Sequence, residues 1–267
     1  MKLYSKLTIL LLAVFLVLGA SCTAKEKKVQ AASAPAAEPV DEEAVRIASI
    51  VVSKLPDKMQ GNILENMDAF KADLAKVMAE ESRFFIIADK SHLLTAEYDP
   101  GELVSLDGKG IKVNKKGMKL EKVTFEALKK MIDDSAKEGL SLMVSSAYRD
   151  YKYQVGLYNY YISKYGKEKT DTFSAPPGAS QHQLGTVVDF NDVENTFAGT
   201  KEERWLTENA WKYGFSLSFP KGYEDVTGYS WESWHFRYVT KAGAEFQKKY
   251  FDNIQHYMLL FLDSYRN

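Results

Sequence analysis

The chain has 267 residues, 35 Lys plus Arg against 36 Asp plus Glu, a formal net charge of −1 and 45% hydrophobic residues. That composition excludes a disordered, collagen-like or polytopic membrane protein, and the balanced charge lacks the clustered basic excess that nucleic acid requires. A single cysteine excludes an internal disulfide.

Lys2 and Lys6 precede an apolar run from Leu7 to Leu18. A membrane-spanning helix needs about 20 apolar residues, so the run reads as the hydrophobic part of a signal peptide. Gly19, Ala20 and Ser21 then lead into Cys22, and the string LGASC resembles a bacterial lipoprotein signal. The resemblance implies that residues 1–21 are removed and that Cys22 is lipidated. The protein is then exported and anchored to a bacterial membrane, facing the periplasm or cell wall. Residues 22–43 are polar and rich in Ala and Pro, too poor in large apolar side chains to offset ordering entropy, and are expected to be a flexible tether.

Residues 44–82 read as helical. Ala44 to Leu55 is apolar and stops at Pro56. Asn62, with Glu65 three positions on, has capping-box spacing. Ile63, Met67, Phe70, Leu74, Val77 and Met78 then recur at steps of three or four, one face of an amphipathic helix. The segment 245–267 carries a similar stripe, Ile254, Tyr257, Met258, Phe261 and Leu262. These stripes are expected to pack on the rest of the protein, and on each other; a partner-binding or dimerisation helix is the competing reading.

Residues 83–244 read as a mixed domain. FFIIA (Phe84 to Ala88) has the composition of a short strand, and Thr124 and Asp150 stand where helix caps are expected. Leu140, Leu142 and Val144 alternate as in a strand with one buried face. Thr186 to Phe190, FSLSF and FRYV read as further strands, and Gly214 closes a helix containing Trp205 and Leu206. Regular βαβ alternation is missing, so the expected fold class is α+β: a mainly antiparallel sheet with flanking helices, plus added N- and C-terminal helices.

Two short strings hold two of the four histidines: Ser180 to Asp189 (SQHQLGTVVD) and Trp231 to His235 (WESWH). Asp189 lies between Val188 and Phe190, where an unpaired carboxylate is costly to desolvate and a cation would relieve the cost. His182, Asp189 and His235 supply two imidazoles and a carboxylate, the three-ligand set of a catalytic zinc site with an open fourth position. Zinc lowers the pKa of its bound water to about 7, and Glu232 is then the group that takes up and returns the proton. In a regular strand Glu232 and His235 would face opposite sides, so Glu232 must sit on a turn or bulge ahead of the strand.

The pattern S-x-H-x-x-G-x-x-x-D followed by E-x-W-H resembles the zinc peptidase group of VanY-type D-alanyl-D-alanine carboxypeptidases, lysostaphin-type endopeptidases and hedgehog domains. SSAYRDYKYQ (Ser145 to Gln154), ENAWKYGFSLSFP (Glu208 to Pro220) and SWESWHFRYV (Ser230 to Val239) are most similar to the VanY branch. The first of these reads SAYRD where the family more often has SGYRS. The resemblance implies one zinc ion per chain on His182, Asp189 and His235, with Glu232 as catalytic acid and base. It further implies Arg149 as the arginine that binds the substrate carboxylate and stabilises the oxyanion, with Ser180 and Gln154 contacting the terminal substrate residue. The substrate class implied is the peptidoglycan stem peptide, losing its terminal D-alanine. An L,D-carboxypeptidase acting on tetrapeptide stems and a non-catalytic wall-binding lipoprotein are the alternatives. Ser180 lacks the G-x-S-x-G setting of a serine hydrolase. Fourteen of the 16 tyrosines and all four tryptophans follow Ser146, either lining a cleft for a sugar-linked peptide or filling the core.

Overall fold

The structure, a computed structural model, describes residues 40–267; the signal peptide, Cys22 and nearly all of the expected tether lie outside the described residues. The tether ends earlier than its composition suggested. Asp41 accepts a hydrogen bond from the Ala44 N–H at 3.0 Å and caps helix α1 (Glu42–Lys54), so residues 42 and 43 are helical. Pro56 breaks the chain as expected, and α2 (Asp57–Leu64) starts directly after it. Asn62 is therefore inside α2 and caps nothing; its side-chain amide donates to the Lys249 carbonyl at 2.8 Å. The chain breaks again at Glu65 and Asn66, and α3 (Met67–Met78) carries the rest of the stripe, with Phe70, Leu74 and Val77 buried and Met78 exposed at the end.

Among the described residues β1 (Leu103–Ser105) pairs antiparallel with β3 (Lys119–Glu121). The sheet that matters for the site has five strands in the order β2 (Lys112–Val113), β4 (Met143–Ser146), β5 (Val187–Phe190), β7 (His235–Tyr238) and β6 (Phe215–Leu217). Only β2 and β4 run parallel, so the mainly antiparallel α+β expectation describes the fold. Helices α4 (Lys122–Lys137), α5 (Tyr151–Tyr165), α6 (Lys167–Thr170), α7 (Lys201–Asn209) and α8 (Glu224–Thr227) are interspersed with these strands. Asp150 caps α5 as expected, accepting from Tyr153 N–H at 2.6 Å. At α4 the cap is Glu121, which accepts from the N–H groups of Val123 and Thr124; Thr124 is one of the groups being capped.

FFIIA does not form a strand. Residues Ser82–Phe85 make a 3-10 turn that buries both Phe84 and Phe85, which one face of a strand cannot do with consecutive residues. The carbonyls of Phe84 and Ile86 are instead taken by the buried guanidinium of Arg237, at 3.0 and 2.8 Å. The C-terminal segment is also divided differently from the expected boundary at 244/245: α9 (Lys241–Tyr250) and α10 (Gln255–Arg266) are separate helices.

The two apolar stripes do meet. Phe70 of α3 lies against Phe246 (4.9 Å), Tyr250 (4.8 Å) and Phe261 (5.2 Å, edge to face), joining α3, α9 and α10. Arg46 of α1 donates to the Tyr265 carbonyl at 2.5 Å, and the Tyr265 hydroxyl meets Glu43 at 2.8 Å. One continuous cluster of buried side chains runs from Ile47 through the sheet residues Val188 and Phe236 to Leu262. The terminal helices are thus walls of the same core. Phe70→Ala should remove about 3–5 kcal/mol of stability, because it empties the centre of that aromatic cluster; a denaturant titration showing less than about 1 kcal/mol would contradict the placement.

Candidate metal centre and active site

Strand register builds the site. Asp189 of β5 pairs with His235 of β7 on one side and Ser146 of β4 on the other, so the three side chains form one row on one face of the sheet. Val188 and Phe190 alternate onto the opposite face and are fully buried in the core. His182 arrives from outside the sheet on a 3-10 turn, Gln181–Leu184, that ends at Gly185. Gly185 has φ +74°, and a Cβ there would stand 3.1 Å from Pro100 Cβ and 3.3 Å from Glu121 Cβ. Only glycine combines that left-handed turn with so close an approach, which is why it occupies this step of the motif.

Glu232 lies where the geometry required, on a turn just before β7. The His235 N–H donates to the Glu232 carbonyl at 3.3 Å, and the turn brings Glu232 Oε2 to 3.2 Å from His235 Nδ1. His182 Nε2 is 3.3 Å from Asp189 Oδ2, and His235 Nδ1 is 3.2 Å from Asp189 Oδ1. Ligand atoms of His182, Asp189 and His235 all fall within 4.8 Å of one another, and all three residues are buried.

What these atoms offer is decided by their far sides. His182 Nδ1–H donates to the Ala147 carbonyl at 2.7 Å, so its Nε2 presents a lone pair to the centre. His235 Nε2–H donates to Gln181 Oε1 at 3.2 Å, which leaves Nδ1 facing the two carboxylates. Burial, together with the Arg149 guanidinium, pulls the His182 imidazole down to about 4, so it stays neutral. Against its own burial, Asp189 is held well below the usual carboxylate range by the two imidazoles. Burial also works against a charge on His235, yet its contacts to Asp189 and Glu232 push it up to about 9. Acceptors that converge on one point in this way call for positive charge between them, which a metal cation supplies. Apart from His235 Nδ1 at 3.2 Å, Asp189 Oδ1 is buried with no donor in reach, which fits the same conclusion. Two imidazoles and a carboxylate suit zinc, and this donor set fits it.

Arg149 follows β4. Its Nη1 donates to Ser146 Oγ at 3.0 Å and its Nε to Gln154 Oε1 at 3.2 Å. Among the described residues it makes no salt bridge with a carboxylate, Asp150 included, and it lines the cavity above the metal cluster. Ser180 also lines that cavity, which has a volume of about 340 Å³ and also includes Tyr161, Phe173, Phe219, Tyr229, Glu232 and Trp234. Gln154 departs from the expectation. It is buried behind Arg149, with its amide donating to the Ala175 carbonyl at 2.7 Å, and it does not line the cavity. It orients the arginine.

Sequence reasoning missed Gln181, which carries no pattern of its own beyond standing next to His182. Its acceptor fixes which nitrogen of His235 faces the centre. Gln181→Leu should weaken zinc affinity about 10–100-fold, the usual cost of losing such a partner. Chelator competition measures this, and an unchanged affinity would exclude the role.

The family description of VanY D-alanyl-D-alanine carboxypeptidases matches residues 117–241. The putative carboxypeptidase YodJ of Bacillus subtilis (strain 168) is 33% identical over 187 residues, 67% of this chain and 68% of that protein. A D-alanyl-D-alanine carboxypeptidase of Enterococcus faecium is 26% identical over 204 residues, 73% of this chain and 65% of its own. Among solved structures, the LdcB LD-carboxypeptidase matches with a TM-score of 0.57 and 31% identity, over 63% of this chain and 85% of that one. A mutant of the vancomycin-resistance D,D-pentapeptidase VanY in complex with Zn(II) matches with a TM-score of 0.55 and 28% identity, over 64% of this chain and 96% of its own. The chain spans about two thirds of the length of these curated relatives.

Proposed function

The chain belongs to the VanY family of D-alanyl-D-alanine carboxypeptidases, and we propose that it is a zinc-dependent D,D-carboxypeptidase that removes the terminal D-alanine from peptidoglycan stem peptides. The observation that carries this reading is the pairing of two features in one cavity: a buried cluster of inward-facing metal acceptors with Glu232 beside it, and a guanidinium free of carboxylates. A hydrolase needs the first, and a carboxypeptidase also needs the second.

His182, Asp189 and His235 would hold the zinc ion, which when bound supplies a Lewis acid and makes water acidic enough to attack near neutral pH. The residues of the chain supply the rest. Arg149 takes the substrate carboxylate on the N–H groups left over by Ser146 and Gln154, those of Nη2 and the second of Nη1, which fixes the scissile amide relative to Glu232. Burial raises the carboxyl of Glu232 above its ordinary value, although contact with His235 pulls the other way. A raised carboxyl is suited to carrying a proton in both directions. It takes one proton from the attacking water as the C–O bond forms, then gives that proton to the D-alanine nitrogen as the C–N bond breaks. Glu232 ends the cycle ionised, as it began.

The site is proposed to work outside the cytoplasmic membrane, with the protein held by a lipid on Cys22. Supporting this is the lipoprotein-like string at residues 18–22. No helix among the described residues is long and apolar enough to cross a membrane.

Pentapeptide and tetrapeptide stems distinguish the two carboxypeptidase specificities. Release of one D-alanine from the pentapeptide, abolished by a chelator, is expected; turnover of the tetrapeptide alone would overturn the D,D assignment. Glu232→Ala should lower kcat by at least about 10²-fold with zinc still bound, as elemental analysis can verify. Loss of the metal together with activity would make Glu232 structural. Arg149→Ala should raise KM for peptides with a free terminal carboxylate and leave C-terminally amidated peptides, already poor substrates, nearly unaffected. Equal losses on both would remove Arg149 from carboxylate binding.

A further inference from the structure

A row of aromatic rings leaves the catalytic cavity along α5. Tyr161 and Phe173 line the cavity and meet edge to face at 5.2 Å. Tyr165 continues the row outward, stacked on Tyr161 at 6.2 Å and 26° and edge-on to Phe173 at 5.9 Å. Tyr160 adjoins Tyr161 at 5.5 Å, tilted by 58°. Tyr160 and Tyr165 are 50% and 47% exposed, and Lys164 and Lys169 lie over their rings at 4.9 and 5.3 Å. None of these rings is packed against the hydrophobic core. They rest on one another, so core filling does not account for them.

Their spacing matches the substrate. Gln154, which holds Arg149, stands in the first turn of α5; Tyr161 is seven residues further on and Tyr165 eleven. At 1.5 Å per residue these positions lie about 10 and 16 Å along the helix. An extended peptide advances about 3.3 Å per residue, so five residues anchored by their terminal carboxylate at Arg149 cover about 16 Å. Laid along α5, whose Leu157 and Tyr161 line the cavity with Arg149, such a peptide would bring its first residue level with Tyr165 and whatever is attached to its amino end over the exposed rings. In peptidoglycan that attachment is a sugar.

We propose that Tyr160, Tyr161 and Tyr165 form a saccharide platform that holds the sugar end of the substrate. Pyranose rings present flat C–H faces that cover an aromatic ring with little entropy lost by the protein, and the two lysines, displaced from the ring faces on their flexible stems, donate to the hydroxyls around the sugar's edge. This inference rests on the assignment of the cavity to the stem peptide.

The test compares kcat/KM for a free pentapeptide and for the same pentapeptide linked to its disaccharide. It uses the mature protein and the double variant Tyr160→Ser, Tyr165→Ser. Two sugar–aromatic contacts should favour the linked substrate about tenfold, mainly through KM. The double variant should bring that ratio close to one. Equal kcat/KM for the two substrates in the parent protein would overturn the platform, as would an unchanged ratio in the variant. If neither substrate releases D-alanine, the carboxypeptidase reading falls and takes the platform with it.

Discussion

The site depends on one electrostatic conflict. Asp189 is ionised and almost wholly buried on an interior strand, with imidazole nitrogens 3.3 and 3.2 Å from its two oxygens. The Ala147 carbonyl and the Gln181 side chain draw the ring protons to the far sides of those imidazoles. Acceptors face acceptors at one buried point. Such an arrangement is stable only with positive charge at its centre, which turns a local desolvation cost into metal affinity. Glu232 shares the conflict through its contact with His235, and its proton affinity is raised by the burial that makes the centre selective for a cation.

The scaffold holds this arrangement by strand register. Ser146, Asp189 and His235 form one row across β4, β5 and β7, and Ser146 passes the alignment on to Arg149. A slip of one residue in β5 would turn Asp189 into the core and Val188 into the cavity. The aromatic packing of α3, α9 and α10 makes that slip costly, since β5 and β7 belong to the same continuous core as the terminal helices. Glu232 and His182 sit outside the strands, on a turn and a 3-10 segment, so the sheet fixes part of the centre and the loops complete it.

Local chemistry made some of this legible beforehand. That His182, Asp189, His235 and Glu232 come together was readable because two short strings carry them and few residue types do this chemistry. The turn ahead of β7 followed from strand alternation alone. Asp150 as a cap was readable because its partner N–H is three residues away. Features set by distant groups were not readable. FFIIA has strand composition, but Arg237, about 150 positions later, takes its carbonyls. Asn62 has capping spacing, but Pro56 had already started the helix, and the amide serves α9 instead. Gln154 has the right neighbours to touch substrate, yet both ends of its side chain are engaged behind Arg149. In each case a long-range partner outweighed a local preference.

The contact of Arg46 and Glu43 with Tyr265 closes the folded unit into a loop of chain whose beginning and end are side by side. Such a molecule has no topological need to start where it does. A short linker could join α10 to α1, and new termini could be opened in an exposed connection far from β5 and β7. The catalytic centre would then keep its architecture while the ends of the chain moved elsewhere on the body.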